Sequence, residues 1–503
     1  MSVPSGADPL PERQVNDLLR RADWRFLLRG AETPRIVDLA GGWAAEAVGL
    51  IGLEESGGRA ADVALIGFPT RLALGAAVDA VRPGGEVVCV WRVPRPGGAW
   101  WAWRRLRRAG LEDVRVVWPG PLPHRAPQFW LPLGSREAVS HLLAERPPTS
   151  RLQGALRPLW RIAARAGLLT PLCAIGRSPG GDPPAPDAIE SAIPPSQPLL
   201  LLTGGRRSIN KVVGLAIEPA TSRPGKAVKF ARVPAADPAL EREAEALRAI
   251  EAEHPRLPGV PRVLAEGRRA GRRALAESAV QGGPLIGQLS AASFPELAGA
   301  VTRWLSELAG GGKPAAPGEW WERLVGERLR RFEHDFGIVL PADLTPQLEE
   351  SLAALGPLPL VPEHRDCSPW NVVLDEGGAP GLHDWESAEP RGLPGLDLAY
   401  FLANCAFVLE GALESGRTRE SHARLLDPGT PLGAVAARCA EQYCRRVGVS
   451  SGDYARLRLL AWLVHSASDH THLAMESGGA PDPEALRSST YLGLIEAELE
   501  IEP

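Results

Sequence analysis

Lysine is almost missing from this chain. Of its 56 basic residues four are lysine and 52 are arginine. With abundant Ala, Gly and Pro, that usage reflects a GC-rich genome more than a function. It does make each remaining lysine worth explaining, and three of the four (Lys211, Lys226, Lys229) fall within one short stretch. The six cysteines are scattered, with no CxxC pair, which argues against a disulfide framework or a zinc site and suits a reducing compartment. No run approaches the ~20 apolar residues that cross a bilayer. The N-terminus, MSVPSGADPLPERQ, lacks the basic-then-apolar pattern of a secretory leader. A cytoplasmic protein without a membrane span is expected. The net charge of −4 supplies no global basic field, so nucleic acid is not an expected partner.

At 503 residues the chain exceeds one ordinary core, and two or three domains are expected. The clearest break is SPGGDPPAPDAIESAIPPSQP, residues 178–198, read as a linker from its Pro, Gly, Ser and Asp content. Before it, 34–42, 61–68 and 84–93 read as buried strands, with a helix over 70–81. This βαβ rhythm predicts a parallel sheet with both faces covered, a Rossmann-like α/β domain over 1–177. After the linker, 199–283 reads as a small lobe of antiparallel strands (PLLLLTGG, 211–219, 226–233 and 272–280). Its helix is opened by Asp237 as N-cap and Pro238 at the first helical position. Residues 284–503 read as mostly helical.

The densest chemistry is EHRDCSPWNVVL, 363–374, followed ten residues later by LHDWESAEP. Asp366 and Asn371 flank a tight loop that leads into an apolar strand, and Asp384 ends the next one. A hairpin-like pair would bring loop and strand end together. One carboxylate could then take a hydroxyl proton while the Asn oxygen and the other carboxylate hold magnesium, a cation that takes hard oxygen ligands. Three unrelated polar residues capping strands would be the plainer alternative.

This spacing resembles the catalytic loop of the kinase-like superfamily. A tryptophan after Asp384, and LPGLDLAYF with Asp397, are similar to the aminoglycoside phosphotransferase and choline kinase branch. The resemblance implies a two-lobed α+β kinase-like fold that binds ATP and Mg2+. Asp366 would be the catalytic base, Asn371 and Asp384 the metal ligands, Asp397 a brace, and His364 a support of the loop. Such a fold needs a strand lysine on the nucleotide phosphates, held by a glutamate on the next helix, so that Lys229 is expected to pair with Glu243. Lys229 in AVKFAR is the candidate, with Lys226 its rival and Lys211 structural or at the pocket rim. A lysine on the wet face of an alternating strand is the alternative. At ~100° per residue, Glu243 falls inside the apolar stripe of Leu240, Ala244, Leu247 and Ile250, whereas Glu241 and Glu245 fall outside it. The loop GGRRSIN sits where a phosphate-covering loop would lie, with backbone near Gly205 and Ser208 available, or it is an ordinary hairpin turn. Backbone groups of Glu277 to Ala279 would meet the adenine edge at an inter-lobe hinge.

The N-terminal elements PRIVDLAGGWAAEAV and AVRPGGEVVCVWR, with 105–118, are similar to a class I S-adenosylmethionine methyltransferase. The glycine-rich turn departs from that pattern. Ala40 and Ala44 stand where glycines are expected, and side chains there obstruct close backbone approach. The ribose-binding acid at the end of the second strand has only Glu54 or Glu55 nearby. A degenerate methyltransferase-like scaffold is expected in preference to an S-adenosylmethionine-dependent enzyme. WWAWRRLRRAG, 100–110, reads as a surface helix with packed tryptophans. The expected function is transfer of the γ-phosphate of ATP to a hydroxyl of a small molecule. The alternatives are a catalytically inactive binding or regulatory protein and a methyltransferase regulated by its kinase-like domain. No motif names the acceptor; Asp469 could meet a cationic substrate or be plain helix-surface charge.

Overall fold

The computed structural model describes residues 11–29, 32–40, 51, 61–91, 98–121, 126–145, 151–168, 172–180, 186–194, 197–205, 207, 209–477 and 479–501. The chain forms two compact units. One takes residues up to Glu241 and then Arg262–Ala279; the other takes Arg242–Pro261 and Val280 onward. The expected division at 178–198 is therefore not where the units part.

Among the described residues, the first unit is organised by one sheet of eleven strands. In chain order they are β1 (Ile36–Asp38), β2 (Ala61–Ile66), β3 (Val81–Trp91), β4 (Glu112–Gly120), β5 (Phe129–Pro132), β6 (Leu172–Arg177), β7 (Leu199–Leu202), β8 (Val212–Ile217), β9 (Pro224–Phe230), β10 (Val263–Arg269) and β11 (Arg272–Ser278). Across the sheet they run β1-β2-β3-β6-β4-β5-β7-β8-β9-β11-β10. Only β1, β2 and β3 are parallel neighbours. The helix Arg71–Ala80 makes the crossover between β2 and β3, opened by Thr70, whose hydroxyl accepts the Ala73 N–H at 3.0 Å. From β3 onward every pairing is antiparallel. The expected parallel sheet thus holds for three strands and gives way to antiparallel ones. Hydrophobic runs alone do not encode strand direction, because any strand buried on both faces reads as continuous apolar sequence.

Two corrections follow from the pairing. First, β5 pairs β7 through Phe129↔Leu202 and Trp130↔Leu201, so strands on both sides of 178–198 share one sheet. The described part of that stretch is also not bare linker. Asp187 caps the helix Ala188–Ala192 by accepting the Glu190 N–H at 2.7 Å, and Ile189 and Ile193 are buried. A strong N-cap and an i, i+4 apolar pair outweigh the surrounding proline. Second, β10 was not expected as a strand. It joins β11 through Ala270 and Gly271, whose φ angles of 50° and 74° suit a two-residue hairpin turn.

The segment before β1 is fastened into the same unit by buried charge. Asp23 and Arg232 are both 0% exposed along their side chains and pair at 3.0 Å. Arg232 also donates to Asn16 Oδ1 and to the Thr203 carbonyl, each at 3.1 Å, and Arg25 donates to the Arg232 carbonyl at 2.8 Å. Phe26 stacks on Phe230 with centroids 4.7 Å apart. The pair satisfies groups that burial alone would expel. Asp23→Ala leaves Arg232 buried without its counter-charge, and unfolding in urea should show a loss of about 3–5 kcal/mol. Asp23→Asn, which keeps the shape, should lose less.

The second unit is mostly helical and carries a three-stranded sheet ordered Gly283–Pro284, Val372–Leu374, Pro380–Leu382. The long helix Asp237–Glu253 begins in the first unit and ends in the second. Asp237 is itself helical, with φ −55° and ψ −45°. Its carboxylate accepts the Arg273 N–H at 3.2 Å instead of capping the helix as expected. The 3-10 turn Pro234–Ala236 runs straight into the helix, so Asp237 is already inside it. No described helix is long and apolar enough to cross a membrane.

Candidate active site

The loop 364–371 is shaped by one buried carboxylate. Asp397, in the first turn of the helix Leu396–Glu410, accepts consecutive backbone N–H groups from His364 at 2.6 Å and Arg365 at 2.8 Å. Burial, then the charge of Glu363, pushes Asp397 up to about 7, against the pull of those two donors and of Arg365. Arg365 sits at φ +62° and Asp384 at φ +69°. Left-handed backbone costs a non-glycine residue roughly 1–2 kcal/mol, and such strain gathers where a side chain must be aimed.

His364 is fully buried and its tautomer follows from its partners. Nδ1 accepts the Asp366 N–H at 3.2 Å, so Nε2 carries the proton and donates to the His383 carbonyl at 3.0 Å. Burial lowers its pKa to about 4, with the His383 carbonyl bond and the charges of Asp384 and Glu243 opposing less strongly. The ring meets the edge of Trp385 with centroids 4.6 Å apart. His364 is therefore a neutral strut that ties the loop to the strand end before Asp384, in line with a supporting role.

Asp366 and Asn371 come together directly. The Asn371 amide N–H2 donates to Asp366 Oδ2 at 2.7 Å and to its carbonyl at 2.9 Å. That assigns Asn371 Oδ1 as the oxygen left for a cation. The turn is closed by Ser368 N–H to the Asp366 carbonyl at 2.8 Å and Asn371 N–H to the Ser368 carbonyl at 3.0 Å. The hairpin then brings in Asp384. Val372 opposes Leu382, the His383 N–H donates to the Asn371 carbonyl at 3.3 Å, and Asp384 is the next residue along. His383 Nδ1 lies 3.4 Å from Asp384 Oδ2. An amide oxygen and a carboxylate at neighbouring hairpin positions form a hard-oxygen set of the kind magnesium takes, with one or two protein ligands.

Glu243 is fully buried, as are Leu240, Ala244, Leu247 and Ile250, while Glu241 and Glu245 are exposed. Its Oε1 accepts the Trp385 N–H at 2.8 Å, which fixes the residue after Asp384. Lys229, 2% exposed, pairs at 2.8 Å with Glu277 on the adjacent strand. Glu277 as the lysine's partner was missed, because the cue is cross-strand register. Leu275 lies opposite Lys229, so Glu277, two positions on, shares its face. Lys226 donates to the Ala192 carbonyl at 2.6 Å and holds a helix end.

Two of the expected backbone positions have partners within the fold. The Ala279 N–H donates to the Gly225 carbonyl at 3.1 Å, so it extends the sheet and is not open to an adenine edge. The Gly205 carbonyl accepts Asn16 Nδ2 at 3.0 Å, and a Cβ at Gly205 would collide with Asn210. Asn210 Oδ1 in turn accepts the Arg207 N–H at 2.8 Å. Gly205 is thus required by an asparagine-closed turn tied to the N-terminal helix. Ser208 lies outside the described residues, as do Ala44, Glu54 and Glu55 of the expected methyltransferase turn. Asp469 accepts the Ser489 hydroxyl at 2.6 Å. Tyr400, whose ring stacks on His465 at 3.7 Å, has its phenol pushed up by burial and then by the charge of Asp366. The sequence reading did not single it out, since a lone tyrosine inside an apolar helix gives no signal.

Residues 220–460 match the model of the phosphotransferase enzyme family, APH. Among solved structures, the chain is similar to the aminoglycoside phosphotransferase APH(3'')-Id from Streptomyces rimosus. That likeness has 20% identity, covers 50% of this chain and 89% of that one, and has a TM-score of 0.34. A choline/ethanolamine kinase family protein from Mesorhizobium loti is similar at 17% identity, over 62% of this chain and 96% of that one, with a TM-score of 0.38. No curated protein matches the chain. At these identities and TM-scores the weight rests on the family match and on the site's own geometry.

The neutral state of His364 has a measurable consequence. Its folded pKa lies below the ordinary value of about 6.5, so the unfolded chain binds the extra proton first as pH falls. Its contribution is complete above about pH 6.5 and drains away towards pH 4, at most on the order of 3 kcal/mol. Urea unfolding at several pH values should show that slope, and His364→Gln should flatten it.

Proposed function

We propose, on the premise that residues 220–460 carry phosphotransferase-family sequence, that this protein is a small-molecule kinase. It moves the γ-phosphate of ATP onto a hydroxyl of its substrate. The observation that carries the reading is the Asn371 amide clasping Asp366 on a loop whose hairpin partner delivers Asp384. Asp366 is the base: it orients the substrate hydroxyl and takes its proton as the new P–O bond forms and ADP departs. Asn371 Oδ1 and Asp384 are the residues that would hold magnesium, which when bound offsets charge on the phosphate oxygens. Lys229 is assigned to the nucleotide phosphates, with Glu277 holding its ammonium in place. Glu243 and His364 position the Asp384 turn and the catalytic loop.

Aminoglycoside phosphotransferase structures are known with ADP and streptomycin and with AMP-PNP and hygromycin B. They suggest the substrate range to screen, which extends to sugars, amino alcohols and nucleosides. The three parallel strands at one sheet edge are read as a methyltransferase-like remnant serving as scaffold, with no part in the chemistry.

The test is ADP release across that panel, with Mg2+ and ATP present. Wild-type protein should turn over at least one acceptor, and Asp366→Asn should lower kcat by about 10²–10⁴-fold with the KM for ATP little changed. Asp384→Asn should raise the Mg2+ concentration needed for half-maximal rate. Thermal stabilisation by Mg-ATP without phosphate reaching any acceptor would favour the inactive binding protein instead, and full activity in Asp366→Asn would remove the mechanism.

A further inference from the structure

The first unit contains a cavity of about 640 Å³, lined in part by Val228 and Phe230, the chain neighbours of Lys229. That volume lies within the roughly 300–1,000 Å³ of small-molecule sites. One wall is aromatic: the stacked rings of Phe26 and Phe230, with Trp100 and Trp103 at 59% and 45% exposure.

The polar end of the cavity is built around three successive residues. The Leu27 carbonyl accepts from Arg115, the Leu28 carbonyl accepts from Arg269 at 2.5 Å, and the Arg29 N–H donates to Glu86 at 2.7 Å. Arg115 and Arg269 are thus fastened to successive residues of one segment and both line the cavity, Arg115 paired also with Glu86 and Arg269 with Asp187 at 3.1 Å. Glu190 lines the same space and lies 3.4 Å from Arg269. Arg269 and Glu190 are each more than nine-tenths buried. Arg115 Nε, Arg269 Nε and Glu190 Oε1 are all buried without a hydrogen-bond partner. An unmatched buried polar group is costly, and in native proteins each one calls for a missing partner. Glu190 Oε1 still has the Arg269 charge 3.4 Å away, so the groups left over are the two Nε–H donors, which call for an acceptor. Crowding points the same way: burial, then the charge of Arg115, lowers Arg29 to about 10.

We propose that this cavity binds a small amphipathic acid, its apolar body against Phe26, Phe230 and the tryptophans, its carboxylate at Arg115 and Arg269. An aliphatic or an aromatic acid meets the same requirement. The reading can be tested apart from phosphotransfer, since Asp366, Asn371 and Asp384 all lie in the second unit and the cavity lining lies in the first.

The experiment is isothermal titration of the full chain with decanoate and with 2-naphthoate, and with decanol and decylamine as controls. At least one acid should bind saturably at one site, and the alcohol and amine about tenfold or more weakly. Which acid binds tells the aliphatic source from the aromatic one. Arg115→Gln removes a charged donor and should weaken the acid by about tenfold or more. Trp103→Glu places a like charge at the exposed mouth, should leave the melting temperature unchanged, and should weaken the acid similarly. If Arg115→Gln fails to fold, Trp103→Glu decides alone. No saturable acid site, an amine or alcohol that binds as tightly, or unchanged affinity in either folded variant would overturn the proposal. Asp366→Asn should bind the acid as the wild type does, which separates this result from the fate of the kinase reading.

Discussion

A charge taken out of water must find a partner, and this chain is arranged around that requirement. Asp397 has its two backbone N–H donors, Lys229 has Glu277, and Asp23 has Arg232. Glu498 shows the limit of the rule. It accepts from His422 at 2.8 Å and from Arg458 at 2.5 Å, which hold it down to about 2 despite a burial that works the other way. In each case the geometry of the pair dictates backbone nearby. At Asp397 it dictates the course of the loop 364–371, since two consecutive amides can reach one carboxylate only if the chain bends between them. The left-handed Arg365 is that bend, and Asp366 is the next residue. The strain at Arg365 is offset by charge-assisted hydrogen bonds, the stronger kind.

The same requirement explains what was readable from sequence. Glu243 could be found because a helix writes its buried face into the chain every three or four residues, and a carboxylate inside that stripe stands out. The 366, 371 and 384 constellation was readable because its parts lie close in sequence and a hairpin is a local structure. Glu277 was not, although it was noticed as part of a hinge. Its pairing with Lys229 depends on which strands are neighbours and in what register, and neither is stated by a run of apolar residues. Asp237 illustrates the reverse failure. It carried a good capping signature, but the preceding turn was already helical and the carboxylate found an amide on the neighbouring strand. A local signal lost to a tertiary one.

The sheet itself was half legible. β1, β2 and β3 followed the βαβ rhythm, and β7, β8, β9 and β11 followed apolar runs and turns. What could not be read was that the two sets join. Proline and glycine around 178–198 look like a boundary in composition, yet β5 and β7 pair across it. Composition reports how a segment behaves alone, whereas a boundary is decided by what its flanks bury against each other. Here Phe26 on Phe230 and Asn16 on Gly205 bind the start of the chain to strands and turns some two hundred residues later.

That fusion gives the N-terminal strands a mechanical meaning. Gly205 belongs to the turn between β7 and β8, and its carbonyl is held by a residue of the helix Glu12–Arg21. The strand bearing Lys229 lies two places from β7, and its terminal Phe230 is stacked from the same N-terminal segment. Rigid elements hold a functional group more closely than loops do. A lysine whose strand is packed between further strands, and whose neighbour is clamped by an aromatic stack, has little freedom to drift. Removing the N-terminal segment would expose Arg232 without its carboxylate and Phe230 without its ring partner. On this argument the N-terminal region is a structural part of the lobe that carries the lysine, and the two do not part as separate domains.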